Sequence, residues 1–128
     1  MAKSLPARAI RLVFVGGALG SVARYLVGLQ FITPITLLVV NLLGAAFIGY
    51  INGAPAGSRL ATQENRWFWA TGFAGGFTTM SGLALAFVLL DGVIGGLAAA
   101  AYLLLQMMLG LALYSLVYRL RQGAWPRV

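Results

Sequence analysis

Residues Ala70-Thr71-Gly72-Phe73-Ala74-Gly75-Gly76-Phe77-Thr78-Thr79-Met80-Ser81-Gly82 place glycines and hydroxyls where a membrane helix normally carries aliphatic side chains. They lie inside a run from Trp67 to Leu90 that has no charged residue, and a bilayer crossing needs roughly 20 mostly apolar residues. The middle of this run is poor helix material. Glycine costs about 1 kcal/mol against alanine in a helix interior, and Gly75-Gly76 followed by β-branched Thr78 and Thr79 concentrates that cost at one point. Irregular backbone at membrane depth survives only against protein or a water-filled cavity. The run therefore reads as a transmembrane helix, broken in its middle, that faces an interior. A solute there would meet carbonyls, amides and the hydroxyls of Thr71, Thr78, Thr79 and Ser81.

Outward from this segment, composition puts the whole chain in a bilayer. Of 128 residues, 61% are hydrophobic and 9% charged, against roughly 25% charged in soluble domains; mean hydropathy is +0.92. There is no cysteine or histidine, and Glu64 and Asp91 are the only acids. That inventory leaves no disulfide framework, thiol nucleophile, histidine-based triad, carboxylate pair or carboxylate-rich metal cage. The chain is not read as an enzyme. A net charge of +7 could signal nucleic acid, but the Lys and Arg residues stand at the edges of apolar runs, which is a membrane pattern.

Four spans are expected, at about 12–32, 35–53, 67–90 and 93–118, forming one all-α membrane domain over 1–128. Lys3, Arg8 and Arg11 precede the first, as in a signal peptide, but no small-residue cleavage pattern closes it and three further spans follow. Gly16, Gly20, Arg24 and Gly28 recur every four residues and share a face, a spacing that lets another helix approach closely. Thr33-Pro34 marks a turn. The second span holds Asn41, with Gly44 and Ala45 on its face. A buried amide needs a partner: an interhelical hydrogen bond and a donor offered to a solute are equally open readings. Residues Asn52 to Arg66 form the one hydrophilic loop, and Trp67, Phe68 and Trp69 then begin the third span as an interfacial belt. Asp91-Gly92 is expected to close that span with a tight turn. In the fourth, Tyr102, Gln106, Gly110, Tyr114 and Tyr118 form a stripe at steps of four, and Arg119, Arg121, Trp125 and Arg127 follow at an interface. A bundle of four such helices encloses no wide aqueous path, so function is expected to need an oligomer.

With four spans, the N-terminus, the second loop and the C-terminus share one side. That side carries Lys3, Arg8, Arg11, Arg59, Arg66, Arg119, Arg121 and Arg127, eight of the nine basic residues. The other side carries none, and Arg24 lies within a span. The bias predicts a fixed orientation in the cell (plasma) membrane, with both termini cytoplasmic.

Three motifs resemble the small four-helix fluoride channels of the Fluc/CrcB family. They are Gly17-x-x-Gly20-x-x-x-Arg24-Tyr25, Val40-Asn41-x-x-Gly44 and Gly72-Phe73-x-Gly75-Gly76-Phe77-Thr78-Thr79-x-Ser81. The resemblance implies an antiparallel dimer with two narrow pores for passive fluoride export. It also implies a structural sodium ion at the dimer interface, held by main-chain carbonyls at the break, here Gly75 and Thr78. Asn41 would lie in the pore, with Thr79, Ser81 and Tyr102 as hydroxyl donors. Amide and hydroxyl donors suit fluoride, because they can replace its hydration without trapping it as a fixed cation would.

Two departures stand out. Where the family pattern has a pair of phenylalanines, whose ring edges can face an anion, this chain has Met80 and Leu83; Gln106 and Gly110 occupy fourth-helix positions where hydroxyls are expected. A homodimer of opposed copies needs a chain that inserts both ways, which the charge bias opposes. The expected partner is an oppositely oriented paralogue that supplies the missing aromatics. Two rival readings remain: a non-conducting structural subunit, and a proton-coupled exporter. The exporter is weakened because Glu64 and Asp91 both fall in loops and leave no intramembrane carboxylate. For Arg24, capping of helix-end carbonyls, snorkelling and concentrating anions in a vestibule all remain open.

Overall fold

The computed structural model describes residues 6–123; Lys3, Trp125 and Arg127 lie outside them. Among the described residues there is no strand, and four helical stretches are long and apolar enough to cross a membrane. The first, α1, is Ala7–Gly28 and the second, α2, is Thr33–Asn52, with Pro34 in its first turn. Proline fits there because the first helical N–H groups have no intrahelical acceptor. The third span, Gln63–Ile94, is composite. It comprises a turn of α3 (Gln63–Asn65), a π-helical segment (Arg66–Phe73), α4 (Ala74–Phe77), a break, and α5 (Met80–Ile94). The last span, α6, is Gly96–Gly123.

The turn after α5 falls on Gly95 rather than on Asp91-Gly92, which remain helical. Gly95 has φ +84°, and its N–H donates to the Asp91 carbonyl at 3.0 Å. Only glycine takes that left-handed backbone without a Cβ penalty, which makes it the natural residue just past a helix end.

The helices run up and down. At one end Arg8 pairs with Glu64 at 2.8 Å, and Gly53 lies against the Tyr118 carbonyl. At the other end Tyr102 Oη donates to the Pro34 carbonyl at 2.8 Å. The start of α1, the 53–62 connection and the end of α6 therefore share one end of the bundle.

Close backbone approach holds the spans together. A Cβ on Gly16 would overlap the Phe68 carbonyl oxygen, and one on Gly20 would overlap that of Phe73. The contact is reciprocal, since Gly72 faces the Val13 carbonyl and Gly76 that of Gly17. Lipid gives no hydrophobic reward for helix association, so small residues that permit such contact do that work. The π-helical segment and α4 are the parts of the third span that pack on α1 in this way. Behind it Phe47 meets Trp69 and Phe73 edge to face, with centroids 5.9 and 5.6 Å apart. The other main seam joins α2 to α6, where Gly49 fits against the Tyr114 backbone. The large aliphatic and aromatic side chains of α1, α5 and α6 point mostly outward, as expected where the solvent is hydrocarbon.

Candidate functional site

The break lies two residues beyond the paired glycines. Gly75 and Gly76 lie within α4, which ends at Phe77, and the chain then runs extended through Thr78 (φ −82°, ψ 163°) and Thr79 (φ −151°, ψ 124°). Thr78 Oγ1 donates back to the Ala74 carbonyl at 2.9 Å and closes the upper half. Thr79 starts the lower half as an N-cap: its Oγ1 accepts from the Gly82 N–H at 3.0 Å and lies 3.1 Å from Ser81 Oγ. Threonine suits such a position, because a side-chain oxygen can satisfy a helix-start N–H that has no other acceptor.

Two side chains from other spans hold the broken backbone. Asn41 brackets the Thr79 residue, with its Oδ1 accepting from the Thr79 N–H at 2.9 Å and its Nδ2 donating to the Thr79 carbonyl at 3.3 Å. Arg24 Nη1 donates to the Thr78 carbonyl at 3.1 Å. Of the roles open to Arg24, capping a helix-break carbonyl is realised. Gly44 makes room, because the Thr78 methyl occupies the space a Cβ there would need.

The break opens onto two cavities. One, of about 380 Å³, is lined by Arg24, Tyr25, Thr36, Thr79 and Ser81 among others. The second, of about 250 Å³, is lined by Asn41, Thr78, Thr79, Met80, Leu83 and Gln106 among others. Thr79 contributes to both. Asn41, Thr79, Met80 and Leu83 are thus brought together, and Arg24 and Ser81 meet Thr79 in the larger cavity. Tyr102 stands apart, bonded to Pro34 and lining neither. Gly75 also lines neither; it is exposed, and a Cβ there would meet nothing within 4 Å.

Gln106 is an addition to the site. It is 3% exposed. Its Nε2 donates to the Leu37 carbonyl at 2.9 Å, and its buried Oε1 has no partner among the described residues. The step-of-four stripe in the fourth span singled it out, but nothing in the sequence showed that its amide would bond the α2 backbone and leave an acceptor unpaired. Among the described residues, no group of three or more His, Cys, Asp or Glu could hold a metal ion.

A family model described as CrcB-like protein, Camphor Resistance (CrcB), matches residues 11–118. The chain belongs to the CrcB-like family. The match takes in the α1 glycines, Arg24, Asn41 and the whole broken span. Among individual relatives, a protein of Methylobacillus flagellatus is 33% identical over 120 residues, 87% of this chain and 92% of that protein. One from Agrobacterium fabrum is 39% identical over 111 residues, covering 80% and 87% respectively. One from Chlorobium chlorochromatii is 49% identical over 77 residues, 56% of this chain; there the chain spans 60% of the relative's length. All three relatives carry the name fluoride-specific ion channel FluC.

Proposed function

We propose that this chain is a subunit of a fluoride-selective channel through which fluoride leaves the cytoplasm passively, along narrow paths at the interface of an antiparallel dimer. The observation that carries the reading is the break at Thr78-Thr79, which has donor-bearing cavities on either side of one residue. Fluoride gives up its water only if other donors replace it. Thr79, Ser81 and the second Nδ2 hydrogen of Asn41 are uncharged donors suited to that task. Arg24 adds positive charge at the larger cavity, where it attracts anions, while its bond to the Thr78 carbonyl restrains it.

A sodium ion suits the same break. In an unbroken helix the Thr79 N–H would bond the Gly75 carbonyl. Here it goes to Asn41, which leaves the Gly75 oxygen without its regular partner on an exposed face. The Thr78 carbonyl keeps a second lone pair beside its bond from Arg24. Gly75 and Thr78 would hold the ion through these oxygens, and a monovalent cation needs no carboxylate. The ion's role would be to neutralise helix-end dipoles where two chains meet.

Fluoride efflux from liposomes tests the proposal, with this chain alone and with an oppositely oriented paralogue. The expected result is efflux selective over chloride and indifferent to a proton gradient. Absence of efflux in both preparations overturns the reading, and dependence on the gradient replaces it with the exporter. One set of observations favours a second reading, the non-conducting structural partner. Met80 and Leu83 bring no hydrogen-bond donor to the smaller cavity, and the Gln106 amide N–H is engaged by the Leu37 carbonyl, which leaves few groups there that attract an anion. Replacing Ser81 by alanine beside an intact partner discriminates, because Ser81 holds no backbone group and a purely structural subunit tolerates the loss of its hydroxyl.

A further inference from the structure

A third cavity, of about 660 Å³, lies away from the break, between the end of α2, the 53–62 connection and the last turns of α6. Its functional lining is Asn52, Arg66, Tyr114, Tyr118 and Gln122. Arg66 Nε is buried and has no hydrogen-bond partner among the described residues. Tyr118 Oη accepts from Gln122 Nε2 at 2.8 Å, which leaves its own proton to donate. Donors therefore converge here around a guanidinium.

Among the described residues no acid neutralises that charge. The chain has two acids. Glu64 is engaged by Arg8 in a two-bond pair at 2.8 and 2.9 Å, and Asp91 is at the opposite end of the bundle. Arg121 also has a buried Nε without a partner among the described residues, but it does not line this cavity, and its guanidinium lies 3.4 Å above the Tyr50 ring, where the π face offsets part of its charge. Among the described residues, Arg66 alone brings a guanidinium to the cavity lining. A guanidinium with no carboxylate partner among the described residues favours a ligand that brings acceptor oxygens and negative charge to the cavity wall.

We infer that this cavity binds a phosphate-class oxyanion. Its volume is far larger than one halide ion requires. A tetrahedral anion offers several acceptor oxygens to donors spread over three elements, and guanidinium groups recognise such anions through charge-assisted bonds. Two sources share this chemistry: the headgroup of an anionic phospholipid, and free phosphate from the aqueous side. The cavity's depth favours the headgroup, because Arg66 directly precedes the Trp67-Phe68-Trp69 belt that marks the membrane interface. The inference is independent of fluoride conduction.

The test is thermal unfolding of the full chain in neutral detergent, titrated separately with inorganic phosphate, phosphatidylglycerol and the phosphate-free lipid diacylglycerol. Saturable stabilisation is expected from a phosphate-bearing ligand. A response to phosphatidylglycerol alone identifies the headgroup, and a response to inorganic phosphate identifies a soluble source. R66Q should weaken the response about tenfold or more, and Y118F about threefold, as fits the loss of a charged and a neutral donor. R119Q, which removes an exposed charge at the same end but outside the cavity, should leave it unchanged. The inference is overturned if neither phosphate-bearing ligand stabilises saturably, if diacylglycerol acts as well as phosphatidylglycerol, or if R119Q costs as much as R66Q. Should R66Q fail to fold, an undiminished response in Y118F overturns it as well.

Discussion

Asn41 satisfies both backbone groups of Thr79, so its first effect is to make an extended residue tolerable inside a bilayer. Asn41→Leu leaves an N–H and a carbonyl without partners and should cost about 2 kcal/mol or more, read as a lowered unfolding midpoint in detergent. Asn41→Asp keeps an acceptor for the Thr79 N–H but sets a carboxylate at the smaller cavity. It should unfold later than the leucine variant while fluoride efflux falls about tenfold or more. Equal unfolding midpoints for the two variants would remove the bracketing role. Arg24→Gln loses a charged hydrogen bond worth about 1.5–3 kcal/mol. If a cation shares the Thr78 carbonyl, the midpoint of that variant should depend on sodium more steeply than the parent's; no sodium dependence in either removes the ion from the break. The need for a partner at Asn41 was legible in its residue type and surroundings. Which partner it takes was not, because that lies 38 positions along the chain.

In the third span, the glycines and the break do separate jobs. Gly72 and Gly76 allow backbone contact with α1, and the threonines two residues later carry the extended backbone. The sequence read both signals as one defect, because helix propensity adds the cost of glycine and of threonine without regard to which is repaid by packing. Gly20→Ala tests the packing: its Cβ would overlap the Phe73 carbonyl oxygen, and overpacking of this kind costs typically 1–3 kcal/mol. Gly92→Ala is the counter-case. It lies in α5 with nothing within 4 Å of a Cβ, so the better helix former should raise stability by up to about 1 kcal/mol. Comparison of the two melting curves checks both, and the same sign of shift in each would refute the distinction. The π-helical widening at Arg66–Phe73 had no counterpart in the residue pattern; it lies where this segment meets the backbone of α1.

At the scale of the molecule, eight basic residues against none predict one orientation. The chain has no cysteine, so single cysteines at Ala56 and Gln30, both exposed and at opposite ends, can report it. Each should label from one side only, and the two sides should differ; labelling of either site from both sides would restore the homodimer of opposed copies. The number of spans, their membrane setting, the broken third helix and the family motifs followed from the sequence alone. Apolar runs, charge bias and breaker residues are local properties that one dimension records. The tertiary structure alone decided where the backbone opens, that Arg24 and Asn41 hold it there, and that Gln106 bonds the α2 backbone beside the smaller cavity. Those outcomes depend on which helices touch and how closely. Backbone contact between glycines fixed that distance, and no single segment encodes it.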